Sequence, residues 1–196
     1  MPDSRLYGLI LAGGRSRRMG QDKALLKRDG RSQLASLVAL LEPMVERVFV
    51  STRSDQREEP ERRRFAQIID NYSDIGPVAG VLSAMEEYPA VDWLVVACDL
   101  PNVNEDTIRF LIDNRSAEKP FTAYRSSHDD LPEPLCAIYR LGSEAVVRDC
   151  IDAGMTCPRK MLIRSDTKLL VQADPRALDN INTPEELQES VLESVS

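Results

Sequence analysis

The side chains best suited to chemistry lie in one stretch near the start of the chain, Leu9 to Leu26, reading LILAGGRSRRMGQDKALL. An apolar run, Leu6 to Ala12, breaks at Gly13-Gly14. Arg15, Arg17, Arg18 and Lys23 follow, with only Asp22 of opposite sign among them. Adjacent glycines carry no Cβ to hold a ligand off the main chain, so consecutive N–H groups can face an anion. Arginine adds planar forks that match phosphate oxygens, and lysine adds a movable point charge. Gly-Gly alone would read as a tight turn with solvated neighbours. The crowd of cations beside it, in an acidic protein, favours a polyphosphate cradle.

The spacing fits neither common phosphate fingerprint. A Walker loop requires G-x-x-x-x-G-K-[ST], whereas five residues separate Gly14 from Gly20 and Ala24 follows Lys23; no G-x-G-x-x-G string occurs. A second candidate is Asp99. The continuous apolar run Val91 to Ala97 (VDWLVVA) has the character of a strand buried on both faces of a parallel sheet, and it stops at Cys98-Asp99-Leu100-Pro101. Open α/β sheets bind ligands at the carboxyl ends of such strands. A triphosphate reacting there calls for a divalent cation, and Mg²⁺ is commonly held by one or two carboxylates with phosphate oxygens and waters. By position alone Asp99 is equally a turn residue before Leu-Pro, and the basic loop tips it to metal ligand.

With those residues in view, LAGGRSRRMGQDKALL resembles the signature of the nucleotidyltransferases that use an NTP and expel pyrophosphate, most closely the molybdenum cofactor guanylyltransferases. The CDLP string around Asp99 and the C-terminal DNINTPEEL are similar to further motifs of that family. The resemblance implies transfer of GMP from GTP to the phosphate of molybdopterin, with Mg²⁺ on Asp99. It implies Leu11, Ala12, Gly13 and Gly14 against the nucleotide, Arg18 and Lys23 neutralising its phosphates, Asp70 toward guanine and ribose, and Asn180 and Asn182 toward the pterin. Ser51 stands where family members often carry an asparagine near the nucleotide. Read without the family, Asp70 is a strand-end turn former, and the two asparagines are turn residues ahead of a helix.

Neighbouring readings are transfer of CMP to molybdopterin, or of a nucleotide to a sugar or alditol phosphate; Gly14, completing LAGG, favours guanine. A reading of another class is a non-catalytic nucleotide-binding interaction module, and the presence of both Lys23 and Asp99 argues against it. The implied partners are GTP and molybdopterin, with transient contact to enzymes that insert or receive the cofactor.

The elements that must position these groups follow from apolar periodicity. Leu34, Leu37, Val38 and Leu41 form one helical stripe within Gln33 to Leu41. Short apolar runs mark strands at Arg47 to Thr52, Gln67 to Asp70, Pro120 to Tyr124, Glu133 to Tyr139 and Lys168 to Val171. Helices are expected from Pro77, over Glu105 to Asn114, and after the capping box formed by Thr183 and Glu186. Arg53 to Arg64 reads as a solvated loop or short helix. Arg159-Lys160 reads equally as an acceptor contact or an exposed helix face. The alternation predicts a three-layer α/β/α, mostly parallel, Rossmann-like nucleotidyltransferase domain spanning 1–196.

Composition agrees. The chain has 196 residues, enough for one well-packed domain, with 42% hydrophobic and 29% charged residues. A net charge of −7 excludes the broad basic face of a nucleic-acid binder. No stretch suits a membrane span or signal peptide, so a cytoplasmic protein without membrane partners is expected. Cys98, Cys136, Cys150 and Cys157 form no C-x-x-C pair and are expected to be buried and reduced.

Overall fold

The computed structural model describes residues 4–13 and 22–180. Gly14, Arg15, Arg17, Arg18 and Asn182, together with the helix expected after Thr183, lie outside the described residues.

The chain runs through β1 (Leu6–Leu11), a small hairpin of β2 (Lys27–Arg28) and β3 (Arg31–Ser32), α1 (Gln33–Leu41), β4 (Arg47–Thr52), β5 (Gln67–Ile69) and α2 (Val78–Glu87). It continues through β6 (Asp92–Ala97), α3 (Glu105–Asp113), β7 (Phe121–Arg125), β8 (Pro132–Tyr139), α4 (Glu144–Asp152), α5 (Pro158–Arg164) and β9 (Thr167–Val171). Seven of the strands form one sheet in the order β5-β4-β1-β6-β8-β7-β9. Every pairing in it is parallel except those of β8, which runs antiparallel to both β6 and β7.

The alternation of side chains sorts the core into two layers. Leu6 and Ile10 of β1, Val50 of β4 and Leu94 and Val96 of β6 face the stripe Leu34, Leu37, Val38 and Leu41 of α1, with Ile108 and Leu111 of α3. Tyr7, Leu9, Phe49, Trp93 and Val95 face Val78, Val81, Leu82 and Met85 of α2, Val147 of α4 and Met161 and Leu162 of α5. This is the expected α/β/α sandwich. Every residue of β6 is buried, which explains the apolar run Trp93 to Ala97; Asp92, which opens the strand, is buried as the acceptor from Ser4 Oγ and the Leu141 N–H.

Helix starts are chemically specified. Ser32 Oγ accepts from the Ala35 N–H at 3.0 Å to cap α1, and Asn104 Oδ1 accepts from the Thr107 N–H at 3.0 Å to cap α3. At the amino ends of the strands, Tyr7, Phe49, Tyr88 and Trp93 form a ring cluster with centroids 5.0–6.2 Å apart, securing α2 to the sheet away from the ligand end.

Two features depart from expectation. Pro132 and Pro134 lie inside β8, where a proline cannot donate to a ladder, and the register slips between Ala123 and Tyr124 of the partner strand to accommodate them. Among the cysteines, Cys98 and Cys136 are buried, but Cys150 is only partly covered and Cys157 is exposed at the start of α5. All four are free thiols. Burial pushes Cys136 up to about 12 and raises Cys98 further, so neither is a thiolate at neutral pH.

Candidate active site

Strand order reverses at β1. The chain builds outward through β4 and β5, then returns to place β6 on the other side of β1. The carboxyl ends of these strands open into a cleft of about 870 Å³ at this reversal, the position at which doubly wound sheets take ligands.

Leu11, Ala12, Gly13, Lys23, Ser51, Asp70 and Asp99 all line this cleft, so the structure brings together most of the residues singled out from sequence. Lys23 reaches it because Asp22 caps a short turn of 3₁₀ helix, Lys23–Leu25, with Oδ1 accepting from the Ala24 N–H at 3.1 Å. Its Nζ stands 3.7 Å from Asp99 Oδ2, and each of the two side chains is 18% exposed. Oδ2 faces the cation, while Oδ1 is wholly covered and has no hydrogen-bond partner among the described residues. Burial pushes the Asp99 carboxyl above its ordinary value of 3.8. The Lys23 ammonium opposes that rise, and Glu133 reinforces it.

An under-satisfied carboxylate in a ligand cleft is a fit for a divalent cation. Among the described residues no three His, Cys, Asp or Glu side chains gather as a protein-only metal cage. A cation held here would therefore depend on Asp99 plus ligand oxygens and water, the usual arrangement for Mg²⁺ on a nucleotide.

The opposite wall is built on Asp70. Its Oδ1 accepts from Ser51 Oγ at 2.7 Å. Burial raises its pKa from 3.8, against the hydrogen bond from Ser51 and the charge of Arg53. Ser51, at the position where family members often carry an asparagine near the nucleotide, lines the cleft, is 2% exposed and donates its hydroxyl to Asp70. The hydroxyl thereby orients the Asp70 carboxylate. A Cβ at Gly13 would lie 3.0 Å from Asp70 Oδ2, so a side chain there would press on that carboxylate where the chain passes it. Ala12 is braced on both sides: its N–H donates to the Ser51 carbonyl at 3.1 Å, and its carbonyl accepts from Arg62.

Asn180 is exposed and does not line the cleft; Asn182 is outside the described residues. Arg159 forms ion pairs with Asp129 at 2.8 Å and Glu133 at 3.0 Å, and Lys160 is exposed on α5. Residues that sequence reasoning passed over also enter the site. Arg53 NH1 donates to the Gly13 carbonyl, and its fork grips Asp55 at 2.9 and 3.0 Å. Arg62, in the same mixed-charge segment, is fully buried. Nothing in RSDQREEPERRR distinguishes these two from the other three arginines. Tyr72 and Pro77, ahead of α2, complete the rim.

A mostly parallel α/β sheet, a glycine-opened first strand and a lysine–aspartate ion pair in the switch-point cleft fit a nucleotide-handling transferase of the three-layer type. The model of the MobA-like NTP transferase domain matches residues 8–168, and the chain belongs to that family of nucleotidyltransferases. A molybdenum cofactor biosynthesis bifunctional protein of Synechocystis is 34% identical over 92% of this chain, which spans about half, 52%, of that relative's length. A probable molybdenum cofactor guanylyltransferase of Bacillus cereus is 29% identical, with 93% of this chain and 94% of the relative covered. The molybdopterin-guanine dinucleotide biosynthesis protein A of Archaeoglobus fulgidus shares the fold, with a TM-score of 0.77 at 21% identity over 93% of this chain and 95% of the other. No helix among the described residues is long and apolar enough to cross a membrane.

Proposed function

We propose that this chain, as one nucleotidyltransferase domain in the cytoplasm, transfers GMP from GTP to the phosphate of molybdopterin and releases pyrophosphate. The observation that carries this reading is the Lys23–Asp99 pair at 3.7 Å in the cleft at the carboxyl ends of the strands, with one Asp99 oxygen buried and without a hydrogen-bond partner among the described residues. The names of the Synechocystis and Bacillus relatives support the acceptor.

In this mechanism an oxygen of the acceptor phosphate forms a bond to the α-phosphorus of GTP as the bond from that phosphorus to the β-bridging oxygen breaks. The acceptor is already anionic at neutral pH, so no general base is required. Catalysis is alignment and charge neutralisation. Lys23 holds the phosphates by point charge, and Asp70, oriented by Ser51, accepts hydrogen bonds from the base or ribose. Asp99 would hold Mg²⁺, which supplies Lewis-acid stabilisation of the charge developing on the phosphates. Outside the described residues, Arg18 and Gly14 would extend the phosphate and nucleotide contacts, and Asn182, with Asn180, would face the pterin acceptor.

The test is pyrophosphate release with Mg²⁺ and molybdopterin, comparing GTP, CTP, ATP and UTP. GTP-selective release is expected. Release with CTP alone would keep the chemistry and reverse the choice of base. Tight GTP binding without release would favour a non-catalytic binding module. Lys23→Ala should lower kcat/KM for GTP by about 10²-fold, the scale of losing one charged stabiliser of a phosphoryl transition state. An unchanged dependence on GTP concentration would remove Lys23 from the phosphate site.

A further inference from the structure

Arg62 opens the short 3₁₀ turn Arg62–Arg64 between β4 and β5, and its side chain is 0% exposed, whereas Arg57, Arg63 and Arg64 of the same segment lie in solvent. One nitrogen, NH2, donates both to the Ala12 carbonyl at 2.6 Å and to Asp22 Oδ2 at 2.8 Å. NH1 donates to Glu59 Oε2 at 3.3 Å, and Glu59 in turn accepts from the Glu61 and Arg62 N–H groups at 3.0 Å each, fixing the turn that presents the arginine. Ala12 is the last residue before Gly13, and Asp22 the last before Lys23. The guanidinium therefore ties the point where the chain leaves β1 to the point where it returns as Lys23.

Buried arginine stays charged, and it is tolerated only where partners replace its water. Asp22 gains as much as Arg62 does. A carboxylate next to Lys23 at the mouth of a phosphate site would repel a triphosphate, and Arg62 neutralises it from beneath while leaving its other oxygen to cap the turn that carries Lys23.

We propose that Arg62 is a positioning residue for the nucleotide: it clamps both stems of the phosphate loop and cancels the charge of Asp22. It touches no reacting atom. The inference rests on the reading of this cleft as a triphosphate site, and it assigns a role within that site to a residue of the β4–β5 connection.

The test compares wild-type protein with Arg62→Met and Arg62→Lys, reading the KM for GTP, the KM for molybdopterin, kcat, GTP affinity by calorimetry, and amide exchange at Ala24. Arg62→Met should raise the KM and Kd for GTP by about 10- to 100-fold, the scale of a small misplacement of binding groups, while the KM for molybdopterin is unchanged. Arg62→Lys keeps the charge and loses the planar fork. It should fold even where the methionine variant does not, raise the KM for GTP about tenfold and speed Ala24 exchange. A merely structural residue would lower the active fraction, and so kcat, with both KM values unchanged. A folded Arg62→Lys protein with wild-type GTP affinity and wild-type Ala24 exchange overturns the clamp. Wild-type protein that binds GTP but releases no pyrophosphate overturns the transfer reaction instead, and the affinities and exchange rates of the two variants still decide the role of Arg62.

Discussion

Asp99→Asn should give a folded protein whose GTP-dependent pyrophosphate release falls by at least about 10³-fold, the equivalent of roughly 4 kcal/mol of transition-state stabilisation. Asparagine matches the shape of aspartate and preserves packing at the end of β6, but it cannot supply the anionic oxygen that a divalent cation needs. The loss should appear in kcat, because Lys23 and the wall around Asp70 remain to bind the nucleotide. Near-normal turnover in a folded Asp99→Asn protein would sink the metal assignment, and with it the role given to Oδ1, which has no hydrogen-bond partner among the described residues.

The same substitution should raise thermal stability at neutral pH in the absence of metal. Burial lifts the Asp99 pKa above 3.8, so the folded state holds this proton more tightly than the unfolded state does. Stability from such a group is present at low pH and is lost as pH rises from the ordinary carboxylate value through the raised one. Above that window the wild-type protein carries a desolvated carboxylate only partly compensated by Lys23, and the asparagine variant carries none. The difference in Tm between the two should therefore be positive at neutral pH and shrink in acid. A variant less stable than wild type at neutral pH would mean that the Lys23 attraction outweighs desolvation. A site that is more stable without its carboxylate is one shaped for a ligand.

Asp99 itself was legible in the sequence for the reason that makes it costly. The run Trp93 to Ala97, buried on both faces, is apolar throughout, so the first carboxylate after it marks the strand's carboxyl end. The stripe of α1 and the β4 run were legible on the same grounds, because periodicity records which face is covered. The helix Glu144–Asp152 carries a similar signal in Val147, Cys150 and Ile151, and close counting of that spacing would have found it. The reversed direction of β8 was not legible, since the same apolar pattern serves a parallel or an antiparallel strand. The burial of Arg62 was hidden too. It is decided by Ala12 and Asp22, distant in sequence, and an arginine's type says nothing about which of its neighbours will be beneath the surface. Gly80 is the clearest case of a site constraint with no local sign. It lies within a helix, where glycine is disfavoured, and only the structure gives it a reason.

Gly80→Ala should destabilise the protein by about 1–3 kcal/mol and weaken GTP binding, although alanine is the better helix former by about 1 kcal/mol. A Cβ on Gly80 would meet Ser51 Oγ at 2.1 Å, Ser51 Cβ at 2.9 Å and Leu11 Cδ2 at 3.1 Å. The leucine methyl and the serine hydroxyl can rotate away, but Ser51 Cβ is fixed to the backbone of β4, so α2 must move off the strand ends. Rotation of the hydroxyl has its own consequence, since Ser51 Oγ is the donor that holds Asp70 Oδ1 at 2.7 Å. Asp70 would then be a buried carboxylate without that hydrogen bond, and its pKa should climb further. One methyl group thus acts on stability through overpacking and on the nucleotide through Asp70. A double-mutant cycle separates the two. Ser51→Gly removes both serine atoms from the contact, so Gly80→Ala made on that background should regain most of the lost Tm. It should not regain GTP affinity, because the donor to Asp70 is still missing. Recovery of both would show that Ser51 serves only to be packed against, and a Gly80→Ala protein with wild-type Tm and KM would show that α2 stands further from β4 than these distances require.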